Sequence, residues 1–227
     1  LPASDGTAPG LISRDHSAPV IEADGKRPFA IMSLVGGKWT TFRGFAEEVA
    51  DSVLTRLGRS RKQSTRYLAI GGGKAFPADA QARRGFIDRI ATAASIPAAR
   101  AEQLLNRYGT TAEAVAMFPS DHPDDRRLSG ATHYSFREID WIARNELVVH
   151  LSDIVLRRTT IAIEGHVTYA GLTDIAGIAA KALGWDAARV AHEVDDVVSL
   201  LKEFHGQTLA AGTPDIEPEK SARPVSR

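Results

Sequence analysis

A glycine-rich turn that carries a lysine is the segment of this sequence best suited to chemistry. It comprises Gly36, Gly37, Lys38, Trp39, Thr40 and Thr41, and an amphipathic stretch follows it. A helix that begins there offers unpaired backbone N–H groups and a partial positive charge, and glycines let a ligand approach the backbone. The turn therefore suits a phosphate, or the pyrimidine edge of a flavin, where negative charge grows on reduction. The alternative is an ordinary strand-to-helix turn with an incidental lysine.

Other reactive residue types form weaker patterns. The seven histidines show no spacing typical of metal ligands, so we expect structural or surface roles and no metal site. His16 is the only histidine for which we consider a functional role, because Arg14 lies close to it in the sequence. The run Gly71 to Lys74 lacks the spacing of a phosphate-binding loop and is interpreted as a linker. Arg157 and Arg158 either bind an anion or pair with carboxylates such as Asp153.

The elements that must position the turn are a strand before it and a helix after it. The apolar run Pro28–Val35 predicts a buried strand. Apolar residues at spacings of three and four from Phe42 to Leu57 predict a helix that Gly58 ends. Shorter β-type runs at Leu11–Ser13 and Val20–Glu22 precede them, and a hairpin turn is predicted around Gly25.

The rest of the chain has helical periodicity. A basic loop and the glycine run separate it from the first part, which predicts domains at residues 1–75 and 76–210 and a disordered tail at 211–227. Asp186 is a predicted N-cap, and Gly184 is predicted to end the preceding helix. The predicted helices span Ala78–Ala94, Pro97–Tyr108, Thr111–Met117, Phe136–Val149, Ser152–Arg158, Thr173–Leu183 and Asp186–His205.

Composition narrows the classes of function. The 227 residues carry 28 basic and 28 acidic side chains, so no charge excess predicts binding to nucleic acid. The absence of cysteine excludes disulfides, thiolate catalysis and Cys-ligated zinc. No apolar run is long enough for a transmembrane helix, and the opening residues do not resemble a signal peptide. Because the sequence starts at Leu1 and not Met, we expect a piece of a longer protein, with processing of the chain as the alternative.

Four motifs, in the expected order, resemble segments of the FAD-dependent glycerol-3-phosphate dehydrogenases. The Gly37 to Thr41 segment after an apolar strand is similar to a late flavin-binding segment of that family. Ser13 to Asp15 resembles its Ser/Thr-Arg-Asp segment, and Arg107 to Gly109 its Arg/Thr-Tyr-Gly. The last is its C-terminal signature, matched here by Glu146, Asp153, Arg157, Arg158 and Thr159.

The resemblance implies an α+β fold, with a short β/α remnant of an FAD-binding domain before a mostly helical C-terminal domain. It implies that Arg14 holds the substrate phosphate and that Lys38 reaches the substrate side of the flavin, so both are substrate-binding residues, while no catalytic residue is assigned. Phe42 stands where the family usually has tyrosine. The residues implied to adjoin FAD are Gly36, Gly37, Lys38, Trp39, Thr40 and Thr41.

The resemblance also implies an activity, oxidation of sn-glycerol 3-phosphate to dihydroxyacetone phosphate, with electrons passing through FAD to a quinone. The Gly-x-Gly-x-x-Gly dinucleotide fingerprint is absent from this sequence. We therefore expect the isolated chain to be inactive and not to retain FAD. The alternatives are a non-catalytic helical docking or regulatory module, and a relative that acts on another polyol phosphate.

The expected partners of the parent protein are glycerol 3-phosphate and a quinone, and no nucleic acid. The parent is expected in the cytoplasm, peripheral at the inner face of the membrane. Strands of the first 70 residues would normally pair with strands that this sequence does not supply. We expect that part to be irregular or completed by another chain, so self-association through strand edges is a further expectation.

Overall fold

A computed structural model of the chain describes residues 15–36, 38–122 and 125–209. The described residues form an α+β structure that is mostly helical, with one small antiparallel sheet. They divide into two compact units at the Ile70–Gly71 junction. Arg14, Gly37 and the predicted strand Leu11–Ser13 lie outside the described residues, as does all of the predicted tail.

The first unit consists of a short hairpin and one long helix. Strand β1 (Val20–Ile21) pairs with β2 (Ile31–Met32), with Val20 opposite Met32. The predicted turn is confirmed, because the Asp24 carboxylate accepts hydrogen bonds from the backbone N–H groups of Lys26 and Arg27 at 2.9 and 2.8 Å.

The predicted strand Pro28–Val35 is wrong in its length. Regular pairing is confined to β2, and Val35 forms an isolated bridge with Ser17. One physical reason is that the Arg27 guanidinium donates to the carbonyl of Phe29 at 3.0 Å. That carbonyl is therefore bound by a side chain and not by a neighbouring strand.

Helix α1 (Phe42–Arg56) follows a single 3-10 turn at Trp39–Thr41. The chain leaves the helix through Gly58, whose φ of +66° suits glycine. The predicted helix and its end are confirmed. None of its side chains is buried, and no residue of the first unit is buried among those that the structure describes.

The second unit contains seven α-helices within residues 71–122 and 125–209. The core has two clusters, one among α2, α3 and α4 and one around α5, α7 and α8, and the half-buried Trp141 packs against both. The helices are α2 (Ala80–Ala94), α3 (Ala98–Tyr108), α4 (Ala112–Ala116), α5 (Phe136–Asn145), α6 (Leu151–Asp153), α7 (Tyr169–Leu183) and α8 (Ala187–His205).

Several helix ends follow from their capping residues. Asp186 is confirmed as the N-cap of α8, since its carboxylate accepts from the Arg189 N–H at 2.7 Å, and Gly184 is confirmed at the end of α7. Helix α7 begins four residues earlier than predicted, because the Thr168 hydroxyl accepts from the Gly171 N–H at 3.0 Å.

The predicted helices Phe136–Val149 and Ser152–Arg158 are wrong in their bounds. Helix α5 stops at Asn145, and the N–H groups of Val149 and His150 instead donate to the Asp153 carboxylate at 3.0 and 2.9 Å. After α6 the chain forms a π-helical turn, Ile154–Arg158, closed by Thr159 N–H donating to the Ile154 carbonyl at 3.0 Å.

The glycine run Gly71–Gly73, predicted as a linker, is a 3-10 turn of the second unit that packs against Tyr108 and Gly109. A Cβ atom on Gly72 would lie 1.8 Å from the Tyr108 carbonyl oxygen, and one on Gly109 would lie 2.3 Å from the Gly72 carbonyl oxygen. The Thr110 hydroxyl donates to the carbonyls of Gly72 and Lys74 at 3.0 and 2.8 Å. Glycine is therefore required on both sides of this contact.

Candidate functional site

The Lys38 turn forms the start of α1 in the first unit. Lys38 has an extended backbone, and Trp39–Thr41 form the 3-10 turn that leads into Phe42. Neither the turn nor α1 has a hydrogen bond from a side-chain N-cap. The first N–H groups of the helix are therefore free of side-chain caps, as an anion or a flavin carbonyl would require.

The side chains of this turn face away from protein contacts. Trp39 is 93% exposed and Phe42 58% exposed, and the Thr41 hydroxyl donates to the Lys38 carbonyl at 3.1 Å. Lys38, Trp39 and Thr40 are thus exposed together, whereas Thr41 is half-buried. The donor set fits one wall of a flavin site, because N–H groups, a hydroxyl and an ammonium can all pair with ring carbonyl oxygens.

The other residues predicted for this site, or close to it in sequence, add no structural support for ligand binding. A Cβ atom on Gly36 would meet only the Phe45 ring, at 3.9 Å, so nothing among the described residues requires glycine there. Arg14 and Gly37 lie outside the described residues. His16 has a structural partner, since its Nε2 lies 2.9 Å from a Glu48 carboxylate oxygen and its ring contacts that of Phe45.

A buried carboxylate organises the second unit. Glu138 has a fully buried side chain, and its oxygens lie 2.7 Å from Arg100 Nη2, 2.5 Å from Arg107 Nη1 and 2.7 Å from the Tyr108 hydroxyl. Arg100 also donates to the Ser135 hydroxyl at 2.9 Å. Two guanidinium groups and one hydroxyl therefore supply the hydrogen bonds and the opposite charge that a buried carboxylate requires.

This arrangement explains the Arg-Tyr-Gly motif in physical terms. Burial and the neighbouring Glu138 carboxylate raise the pKa of Tyr108, so its hydroxyl remains a donor. Burial disfavours the Arg107 cation, but Glu138, Tyr134 and Tyr108 together outweigh this effect and raise the pKa of Arg107. Arg107 also lies over the Tyr134 ring, 3.7 Å from its centroid. The third motif residue, Gly109, admits the Gly71–Gly73 turn. All three residues therefore have structural roles.

The C-terminal signature residues are also paired. Arg157 Nη1 lies 2.7 Å from the Asp153 carboxylate, and Arg158 Nε lies 3.4 Å from that of Glu146. This pairing confirms the carboxylate alternative for the two arginines. The Thr159 hydroxyl donates to the Ile154 carbonyl at 2.8 Å and so stabilises the π-helical turn.

An open cleft of about 540 Å³ lies beside these residues. Its walls include the Gly71–Gly73 turn, Phe76, Tyr108, Trp141 and Glu146. Burial raises the pKa of Glu146, against the opposing effect of Arg158. The cleft is mostly apolar, and its two charged groups, Arg107 and Glu146, are already paired.

Sequence reasoning missed two features of the second unit. Glu138 looked like an ordinary helix residue, although a glutamate at the first turn of an apolar helix was a weak signal of its role. His133, Glu164 and His166 come together at the surface, with their ligand atoms all within 4.8 Å of one another. Only the short spacing of Glu164 and His166 could have pointed to this group.

No helix among the described residues combines the length and the apolar character needed to cross a membrane.

Comparison with known proteins gives two consistent findings. Residues 63–190 match the family described as the C-terminal domain of alpha-glycerophosphate oxidase. A probable glycerol-3-phosphate dehydrogenase of Encephalitozoon cuniculi is 28% identical over 203 residues, and glycerol-3-phosphate dehydrogenase 2 of Mycobacterium tuberculosis is 27% identical over 218 residues.

These alignments cover most of this chain but a minor part of each relative. They span 88% and 93% of the chain, and 31% and 34% of the respective relatives. A probable mitochondrial glycerol-3-phosphate dehydrogenase of Dictyostelium discoideum is 25% identical over 84% of the chain and 28% of its own length. The chain thus spans about a third of the curated relatives that it matches.

Proposed function

Because this chain belongs to the family of the C-terminal domain of alpha-glycerophosphate oxidase, we propose that it is the C-terminal portion of a flavoenzyme that oxidises sn-glycerol 3-phosphate to dihydroxyacetone phosphate. The observation that carries this proposal is the match of residues 63–190 to that family, together with relatives named glycerol-3-phosphate dehydrogenase. A relative that acts on another polyol phosphate would keep the same phosphate-binding groups.

The first unit contributes one wall of the FAD site. Lys38, Trp39, Thr40 and Thr41 hold the pyrimidine end of the flavin, with Gly36 and Gly37 in the approach to it. Support comes from the uncapped start of α1 and from the exposure of Trp39. When bound, FAD supplies the redox chemistry by accepting hydride from the substrate. The helix N-terminus and Lys38 favour negative charge at this end of the ring.

Arg14 and Lys38 bind the phosphate of glycerol 3-phosphate. Guanidinium is suited to phosphate because its planar fork donates two parallel hydrogen bonds, and an ammonium adds a point charge. Bound FAD would supply electron transfer to a quinone, and the parent protein would be cytoplasmic and peripheral at the inner face of the membrane. Strand edges near β2 are available for pairing with further polypeptide or with a second copy.

We assign no catalytic residue to the second unit. Support comes from its charged motif residues, which are paired within the unit. The sequence lacks the dinucleotide fingerprint, so the isolated chain does not retain FAD and is inactive. The same absence favours the second candidate function, a helical docking or regulatory module.

The visible absorption spectrum of the purified chain, with and without added FAD, separates these functions. We expect no flavin bands after gel filtration, whereas the parent protein, expressed from its complete gene, shows them and oxidises glycerol 3-phosphate with a quinone analogue. A parent protein that binds no flavin would overturn the proposed function and favour the docking module.

Substitution in the parent protein tests the Lys38 turn. Lys38→Ala is expected to raise KM for glycerol 3-phosphate or weaken FAD about 10- to 100-fold, as for loss of a charged hydrogen bond. Lys62→Ala, an exposed lysine in the loop after α1, is the control and is expected to leave both unchanged. Equal effects of the two substitutions would contradict the assignment of Lys38.

A further inference from the structure

Three potential metal ligands meet at the surface of the second unit. His133 lies just before α5, and Glu164 and His166 lie in the turn before α7. A Glu164 carboxylate oxygen is 3.0 Å from His133 Nε2 and 4.0 Å from His166 Nε2. The two imidazole rings are 5.3 Å apart between centroids. Two nitrogens and one oxygen therefore converge on one point.

The backbone fixes the turn that carries Glu164 and His166. Buried side chains, Ile161 and Val167, anchor it on both sides. Within the turn, the His166 N–H donates to the Ile161 carbonyl at 2.9 Å, and Gly165 has a φ of +74°. These contacts hold Glu164 and His166 on the same side of the turn.

A second set of contacts joins this turn to His133. The Tyr134 hydroxyl, on the residue next to His133, accepts from the Thr160 N–H at 2.9 Å. The His133 carbonyl in turn accepts from Arg100 at 3.1 Å. His133 is thus attached to the rigid core of the unit, and the three ligand side chains do not depend on a loose loop for their proximity.

The ring nitrogen of His133 has an unusual environment. Nε2 is sealed from solvent, and although a Glu164 oxygen lies only 3.0 Å away, the pair does not meet the angular requirements of a hydrogen bond. A buried polar atom without an aligned partner costs free energy. A cation placed between the two groups would satisfy the nitrogen lone pair and the carboxylate together.

The distances suit a small transition-metal ion. Zn–N and Zn–O bonds of about 2.0–2.2 Å in tetrahedral geometry place neighbouring ligand atoms about 3.3–3.6 Å apart. The separations here, from 3.0 Å to at most 4.8 Å, bracket that range, and small rotations of the partly exposed Glu164 and His166 side chains would close the difference. Imidazole nitrogens select such ions over Mg²⁺ and Ca²⁺, which prefer oxygen.

We propose that His133, Glu164 and His166 bind one divalent transition-metal ion, Zn²⁺ first among them, with solvent completing its coordination. The ion joins the segment before α5 to the turn before α7 and so stabilises the second unit. This inference concerns the second unit alone and does not depend on the proposed flavin chemistry.

Zinc titration of the full chain tests the proposal. The chain is stripped of metal with a chelator, freed of any histidine tag and titrated with ZnCl₂ in a calorimeter. We expect one equivalent to bind and the melting temperature to rise with zinc concentration. Cobalt(II) in place of zinc should give visible d–d absorption bands from nitrogen and oxygen ligation. Absence of stoichiometric binding for both ions overturns the proposal.

Matched variants identify the ligands. His166→Ala and Glu164→Gln should each weaken zinc binding more than about 10-fold, since loss of an outer contact alone costs about 10- to 100-fold. His192→Ala, an exposed histidine on α8, is the control and should bind as the unsubstituted chain does. Both ligand positions are partly exposed, so the variants should keep the circular dichroism of the parent chain; if one unfolds, the other decides. Unchanged zinc affinity in a folded ligand variant overturns the assignment.

Discussion

Helix α5 in the second unit has ten residues and completely buries Ile139 and Ile142, whereas α1 in the first unit has fifteen residues and buries none. Both sequences are amphipathic, so the difference lies in what covers the apolar face. Most of the stability of a protein helix comes from such packing. The amphipathic pattern therefore predicted a helix in both places, but it said nothing about whether a partner surface was available.

The contrast extends to charge. The second unit satisfies a fully buried carboxylate with two arginines and a tyrosine, while in the first unit the exposed Glu22 pairs with Arg56 at 2.7 Å. Exposed pairs of this kind contribute little. We therefore expect the second unit to unfold cooperatively and the first to depend on further polypeptide for its stability.

The largest expected effect comes from removing the buried carboxylate. Glu138→Ala leaves Arg100 and Arg107 without their shared counter-ion, and we expect it to destabilise the second unit by about 3–5 kcal/mol. Urea denaturation followed by circular dichroism measures the change. Glu203→Ala, an exposed glutamate on α8, should shift the midpoint little, and a comparable loss in both variants would contradict the role of Glu138.

A pair of leucine truncations compares the two units directly. Leu172 on α7 is fully buried, and Leu57 at the end of α1 is 66% exposed. Leu172→Ala should lower the free energy of unfolding by about 2–5 kcal/mol. Leu57→Ala should change it by no more than about 0.5 kcal/mol. The same denaturation experiment applies. If Leu57→Ala proves as costly, the first unit has a core that covers α1 and the comparison fails.

Acidification should lower the stability of the second unit, because it protonates Glu193. Burial opposes its charge, but the Leu151 N–H at 2.7 Å, His150 and Arg189 together hold the pKa of Glu193 below its ordinary 4.5. Because the folded pKa is depressed, the stabilisation is complete above pH 4.5 and is lost as the pH falls through the folded pKa.

Denaturation midpoints of the unsubstituted chain and of Glu193→Gln, measured from pH 6 to pH 3, test this effect. The variant should be less stable at pH 6 and lose less stability on acidification, with a change smaller than that of Leu172→Ala. Parallel pH profiles for the two proteins would show that Glu193 is not responsible.

How much the sequence predicts depends on whether the deciding contacts are local. Asp186 and Gly184 act on backbone groups within a few residues, so the end of α7 and the start of α8 were predictable. The end of α5 is an exception, since its contacts are also local: the Asp153 side chain binds the backbone N–H groups three and four residues before it and starts a new turn. The apolar periodicity continues through this point and did not reveal the break. The length of β2 depends on pairing with other parts of the chain, which an apolar run cannot specify.

The candidate sites also differ in whether their residues lie close together in the sequence. The Lys38 turn is contiguous in sequence, so its residues could be assigned together, and its role as a flavin wall stays a prediction. The partners of Glu138 lie 30 or more residues away in sequence, and His133 is far from Glu164. Apart from the short spacing of Glu164 and His166, neither group has a spacing that a motif could reveal.

The contact between Gly72 and Gly109 has a practical consequence for dissecting the protein. Each glycine excludes a side chain on the other, and Thr110 binds the carbonyls of Gly72 and Lys74. A recombinant form of the helical unit that starts at Ala75 would lose this turn and bare the backbone at Tyr108 and Gly109. Expression boundaries for the helical unit should therefore lie before Gly71, although the sequence predicts the domain boundary between residues 75 and 76.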